Sequence, residues 1–193
     1  MYMTVFEMNK KSILNAGRNT LNLTDGDAVH SWLTMVQDTT RADGQLLYKV
    51  LEKNNAFYLY VQSKTEFNPD TPEKIGLIKL KSFQMPDPKE TVHFDLQVFP
   101  CKLNEQQKEI FIQDPTERLE WLKFQFSRFN IEVISCTEYK LSKACFKRDK
   151  IVRVPVASYF GTLKINDSVK AKELFEKGLG KLKNYGCGLI LYK

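Results

Sequence analysis

Val92-His93-Phe94-Asp95-Leu96-Gln97-Val98 alternates apolar and polar side chains without a break. That is the period of a strand with one face buried. Downstream, Asp114-Pro115-Thr116-Glu117 supplies an acidic N-cap, proline at the first helical position and a glutamate at the third. Those residues predict a helix start. Leu119, Leu122, Phe126 and Phe129 then share a helical face. Two long β-prone stretches follow, about 131–146 and 151–165. Asp167 caps a second helix that turns Ala171, Leu174 and Phe175 inward and runs to Gly178, and 188–192 makes a final strand. The order is β-α-β-β-α-β, which is ferredoxin-like.

The same order is legible, less sharply, upstream. Residues 1–8 read as a strand. A helix is expected from about Gly26 to Gln37, with Val29, Trp32, Leu33 and Val36 on one stripe and Thr24-Asp25-Gly26-Asp27 at its start. Strands at 45–51 and 56–62 flank Asn54-Asn55, a pair suited to a hairpin turn. Residues 66–74 read as loop, 75–83 as a strand, and Met85-Pro86-Asp87-Pro88 as a linker. The expectation is an α+β protein of two tandem ferredoxin-like (RRM-like) βαββαβ domains, 1–84 and 90–193. The length of 193 residues accommodates both. The halves repeat an element order, not a sequence.

A hydrophobic share of 42% with 27% charged residues fits a folded chain and argues against wholesale disorder. No apolar run approaches the roughly 20 residues of a membrane span, and the first residues show no secretory signal. Cys101, Cys136, Cys145 and Cys187 are scattered, without a C-x-x-C pair. They predict neither a zinc site nor a disulfide framework. Reduced thiols, a cytoplasmic location and no membrane partner are the expectations. The formal net charge of +6 is unevenly placed: residues 139–193 carry 13 basic and 4 acidic groups, whereas 84–138 is net −4. One basic region suits a polyanion, nucleic acid first; solvated lysines are the alternative.

Three features can carry chemistry, and each has two readings. In the stretch 178–188, Gly178, Gly180, Gly186 and Gly188 accompany Lys181 and Lys183 between a helix and a strand. Glycines let backbone N–H groups approach a phosphate; the plainer reading is a helix cap and tight return. Lys140, Lys143, Lys147, Arg148, Lys150 and Arg153 occupy two strands and their turn. Strands of about twelve residues reach roughly 40 Å, enough to follow several phosphates, or to act as a solubilising edge. His30 lies near a helix N-terminus, about 100° around from Val29. It is a partly exposed proton carrier or an ordinary surface histidine; His93, on the polar side of its strand, reads as surface. No H-E-x-x-H, D-x-D or G-x-S-x-G motif is present. Metal-dependent phosphoryl chemistry has no visible ligand set, so no metal or cofactor is expected. The metal-free route is attack by a neighbouring ribose hydroxyl, which requires RNA.

The pattern Tyr159-Phe160-Gly161-Thr162-Leu163, then a helix, then Gly178-Leu179-Gly180-Lys181-Leu182-Lys183-Asn184-Tyr185-Gly186-Cys187-Gly188-Leu189, resembles the C-terminal signature of the CasE family. These are the CRISPR repeat-RNA endoribonucleases of the type I-E Cascade complex. Ala28-Val29-His30-Ser31-Trp32-Leu33 resembles the family's histidine helix, and Glu117-Arg118-Leu119-Glu120-Trp121-Leu122 its middle helix. The resemblance is spread over most of the chain and is most specific in the C-terminal loop. Two places differ: Asp27 stands where the family often carries tyrosine, and Gln97-Val98-Phe99-Pro100 lacks the arginine of the family's R-x-N-P turn.

The resemblance implies a metal-independent cut at the 3′ base of the repeat hairpin. It would leave a 5′-OH and a 2′,3′-cyclic phosphate. His30 would be the general acid or base, the basic hairpin would track stem phosphates, and the glycine loop would help hold the strand. The implied partners are the crRNA hairpin and other Cascade subunits. The alternatives are a hairpin-binding subunit that does not cut and a ferredoxin-like interaction module without nucleic acid.

Overall fold

β1 (Tyr2–Asn9), β2 (Leu47–Lys53), β3 (Ala56–Ser63) and β4 (Leu77–Gln84) form one sheet in the order β2-β3-β1-β4. This computed structural model describes residues 1–9, 26, 29, 30, 33, 46–53, 56–67, 77–147 and 151–193, without the side chains of 9, 77–80 and 147. β1 runs antiparallel to β3, from Tyr2↔Ser63 to Asn9↔Ala56, and antiparallel to β4. The expected turn at Asn54-Asn55 lies outside the described residues, but Lys53 pairs with Ala56 across it.

The second sheet has the same plan. β5 (Thr91–Val98), β8 (Ile131–Lys147), β9 (Ile151–Ile165) and β10 (Ile190–Tyr192) lie in the order β10-β5-β9-β8. Counted within each half, both orders are fourth-first-third-second, the ferredoxin-like arrangement expected from the sequence. The alternation of β5 has the burial it predicts: Val92, Phe94, Leu96 and Val98 are each at most 3% exposed. They face α1 (Pro115–Ser127) through Leu122 and Phe126, and α2 (Ser168–Lys177) through Ala171, Leu174 and Phe175. The Asp114 carboxylate accepts from the Glu117 amide at 2.8 Å, and Asp167 accepts from the Val169 and Lys170 amides at 3.1 Å. Both helices therefore start where the caps predict.

One local expectation needs correction. The buried stripe of α1 begins at Arg118, 3% exposed, rather than at Leu119. Arg118 Nε and Nη2 reach the Glu138 carboxylate at 2.7 and 2.5 Å, and Nη1 donates to the Ile112 and Gln113 carbonyls at 3.1 and 2.6 Å. A guanidinium so fully bonded tolerates burial. The stretch after β5 also holds a short hairpin, β6 (Cys101–Leu103) with β7 (Glu109–Phe111). Asn104 Oδ1 organises its turn, accepting from the Gln106 and Lys108 amides at 3.0 and 2.8 Å.

By contacts the chain divides into two units. One is Met1–Met85 with Cys145–Val152 and Lys183–Gly186. The other is Pro86–Ala144, Arg153–Leu182 and Cys187–Lys193. Two short segments from late in the chain thus belong with the first sheet.

Candidate functional site

Gly26, Val29, His30 and Leu33 are helical and buried, and they stand at i, i+3, i+4 and i+7. They share one helical face. The partly exposed imidazole expected from the sequence is not what is found: His30 is 2% exposed. The offset of 100° from Val29 puts it beside the apolar stripe, in line with Gly26 and Leu33, rather than away from the core. The other residues of the expected helix, Asp27 among them, lie outside the described residues.

What packs on this face comes from two distant segments. Tyr48 on β2 is buried, and its hydroxyl donates toward the Gly26 carbonyl at 2.9 Å and the Asn184 carbonyl at 3.1 Å. A Cβ added at Gly26 would lie 3.0 Å from the Tyr185 Cα, so glycine there permits the close approach. Tyr185 belongs to a single 3₁₀ turn, Lys183–Tyr185, and its ring stacks on Phe146 near the end of β8, centroids 4.1 Å apart and 13° from parallel. Residues 183–186 of the glycine-rich segment, Phe146 near the end of β8, Tyr48 of β2 and the helical Gly26 thus meet within the N-terminal unit. Sequence reading did not single out Tyr48, Tyr185 or Phe146. The available signal was a tyrosine in the otherwise apolar run Leu46-Leu47-Tyr48, because a buried hydroxyl needs a partner.

The glycine-rich segment is mostly bonded to itself. Gly178 closes α2, its amide donating to the Leu174 carbonyl at 2.7 Å. The amides of Leu179, Gly186, Cys187 and Gly188 also donate to backbone carbonyls. Gly178, Gly180, Gly186 and Gly188 all have positive φ. The amides of Gly178, Gly186 and Gly188 are therefore committed within the fold. Lys181 is exposed and ion-paired with Glu109 of β7, and Lys183 is half-buried.

The basic hairpin has the expected bounds to within one residue, 17 residues in β8 and 15 in β9. Lys140, Lys143 and Arg153 are exposed along it. Lys147 ends β8, and Arg148 and Lys150 lie outside the described residues. His93 is exposed as expected, its Nδ1 3.1 Å from the Thr162 hydroxyl. Among the described residues, no group of three or more His, Cys, Asp or Glu is placed to hold a metal ion, and no helix is long and apolar enough to cross a membrane.

A family model described as CRISPR associated protein matches residues 1–193. No curated protein matches the chain. Among solved structures, CRISPR endoribonuclease Cse3 bound to a 19-nucleotide RNA superposes with a TM-score of 0.87 at 19% identity, covering 100% of both chains. Thermus thermophilus Cse3, bound to an RNA representing a pre-cleavage complex, gives 0.83 at 20% identity, covering 100% of this chain and 98% of that one. A chain of a CRISPR RNA-guided surveillance complex gives 0.66 at 18% identity, covering 100% and 98%. At these identities the likeness establishes the fold.

Proposed function

Because the chain belongs to the CRISPR-associated protein family, whose model spans residues 1–193, we propose that it is a metal-independent endoribonuclease of precursor CRISPR RNA. It cuts at the 3′ base of the repeat hairpin in the cytoplasm and remains on the crRNA hairpin within Cascade. The observation that carries this reading is end-to-end likeness to Cse3 structures that hold RNA, and it agrees with the CasE resemblance in the sequence. On this reading residues 1–84 carry the catalytic histidine, and residues 90–193 carry the basic hairpin and glycine-rich loop.

The chemistry is an internal transfer. The 2′-oxygen bonds to the adjacent phosphorus as its proton leaves, and the bond from phosphorus to the 5′-oxygen breaks. A proton goes to that oxygen, leaving a 2′,3′-cyclic phosphate and a 5′-OH. His30 moves one of the two protons, the usual work of an imidazole near neutral pH. Lys140, Lys143, Lys147, Arg148, Lys150 and Arg153 follow stem phosphates, while Lys181 and Lys183 contact the strand near the cut. Six such contacts correspond to a log–log salt slope of about −4 to −5. Neutralising Lys147, Arg148 and Lys150 should flatten it by about 2; an unchanged slope removes the arm from the interface.

A second reading has specific support. His30 is buried and several amides of the glycine segment are bonded internally, which suits a subunit that caps the crRNA hairpin without cutting. End-labelled repeat-hairpin RNA in excess EDTA separates the two. A single cut ending in a cyclic phosphate, lost in His30→Ala and His30→Gln, establishes the nuclease and its histidine. Tight binding with no cut establishes the capping subunit.

A further inference from the structure

Tyr48 joins two parts of the site that the chain supplies from far apart. Its hydroxyl carries one proton and lies within hydrogen-bond reach of two carbonyls, Gly26 at 2.9 Å and Asn184 at 3.1 Å. Gly26 is four residues before His30, so its carbonyl is the one an α-helix offers to the His30 amide. A carbonyl has two lone pairs and can take both donors. Asn184 lies in the 3₁₀ turn between Lys183 and Tyr185. The Tyr48 ring fills the space beneath the same segment: a Cβ at Gly186 would sit 3.2 Å from Tyr48 Cε2.

The ring alone would serve packing, since Tyr48 is 2% exposed in the apolar core of the N-terminal unit. Phenylalanine would fill that volume without the desolvation cost of a hydroxyl. With its one proton shared between the two carbonyls, the hydroxyl adds a tie between the carbonyl beneath His30 and the loop that carries Lys183. Resting on the reading that His30 moves a proton in RNA cleavage, we infer that Tyr48 is a positioning residue: its hydroxyl holds the His30 turn in register with the Lys183–Gly186 segment. Substrate held by that segment then meets an imidazole at a fixed distance. Misplacement of about 1 Å can cost as much as 10²-fold in rate.

The test is single-turnover cleavage of the repeat hairpin with protein in excess, alongside the hairpin Kd. Tyr48→Phe keeps the ring and removes the tie; the rate within the bound complex should fall about tenfold or more while Kd stays within twofold. A purely structural role would reduce the amount of active protein and leave the bound-state rate alone. Tyr159→Phe is the control, since it removes a hydroxyl bonded to Glu138 in the other unit and should leave that rate unchanged. Gly26→Ala is the second variant. Alanine favours the helix, but its Cβ presses on the Tyr185 backbone, so the bound-state rate should fall although helix propensity rises. If Tyr48→Phe is unfolded, Gly26→Ala decides. Wild-type bound-state rates in these variants, with His30→Gln inactive, overturn the inference and leave the proposed function standing. Wild-type cleavage by His30→Gln, or no cleavage by the unaltered protein, removes both.

Discussion

Arg118 on the first helix of the C-terminal unit donates to Glu138 on the second strand, which also accepts from the Tyr159 hydroxyl on the third. In the N-terminal unit, His30 is helical and Tyr48 lies on the second strand of the sheet. Both helical residues are buried, at 3% and 2% exposure. The C-terminal group is a permanent charge with its donors directed at a carboxylate and two carbonyls, and Phe111 lies 5.4 Å from the guanidinium carbon. Such a cluster fixes geometry and has no proton to give near neutral pH. In the N-terminal unit the tyrosine bonds to backbone instead, and the helical residue is an imidazole. One buried helical residue thus serves as scaffold in the C-terminal unit and, on the proposed reading, another moves a proton in the N-terminal unit.

The largest expected effect breaks this comparison if it fails. His30→Gln should lower the cleavage rate by about 10²–10⁴-fold, the usual share of one acid–base group, with melting little changed. Arg118→Ala should do the reverse. Removing one partner of a buried pair costs about 3 kcal/mol, readable as a lower urea midpoint, while each folded molecule cuts as before. If Arg118→Ala lost cleavage and kept stability, the assignment of scaffold and chemistry to the two halves would be wrong.

The difference also explains what the sequence could disclose. Asp114-Pro115-Thr116-Glu117 and the alternation of residues 92–98 act locally, so α1 and β5 are readable from neighbours in the chain. Burial of Arg118 was not readable, because its partner Glu138 is twenty residues away on another element. The β6–β7 hairpin was hidden for a related reason: each strand has only three residues, too few for a period to show. At the candidate site, His30 and the glycine-rich segment could be picked out by residue type. The approach of Gly26 and Tyr48 to that segment could not, because the partners lie 136 and more positions apart in sequence.

A smaller effect sharpens the C-terminal side. Hydrogen bonds from Arg118, against the opposing effect of burial, hold the Glu138 carboxyl below its ordinary value of 4.5, with help from the Tyr159 hydroxyl. A carboxyl lowered in the folded state binds fewer protons there than when unfolded. Its stabilising contribution is thus complete above about pH 4.5 and is lost as pH falls through the folded value. Urea unfolding followed from about pH 6 to 3 should show this loss, and Glu138→Gln should flatten that part of the acid limb. A limb of unchanged steepness would mean that the pair contributes nothing to folding.

The smallest expected effect lies on the N-terminal side. Gly186 has φ 82 and packs over Tyr48. An alanine in the left-handed region costs about 1–2 kcal/mol, and here its Cβ would meet the Tyr48 ring at 3.2 Å. A ring edge can shift by a few tenths of an ångström, so the expected loss stays near 1 kcal/mol. At Gly161 in the other unit, an added Cβ would lie 2.0 Å from the Ser135 carbonyl oxygen. Backbone inside a sheet cannot yield in that way, and Gly161→Ala should cost clearly more. Urea midpoints of the two variants test the ordering. Equal losses would mean that the β8–β9 ladder gives as readily as one aromatic ring, and that the C-terminal sheet is less rigid than its buried ion pair implies.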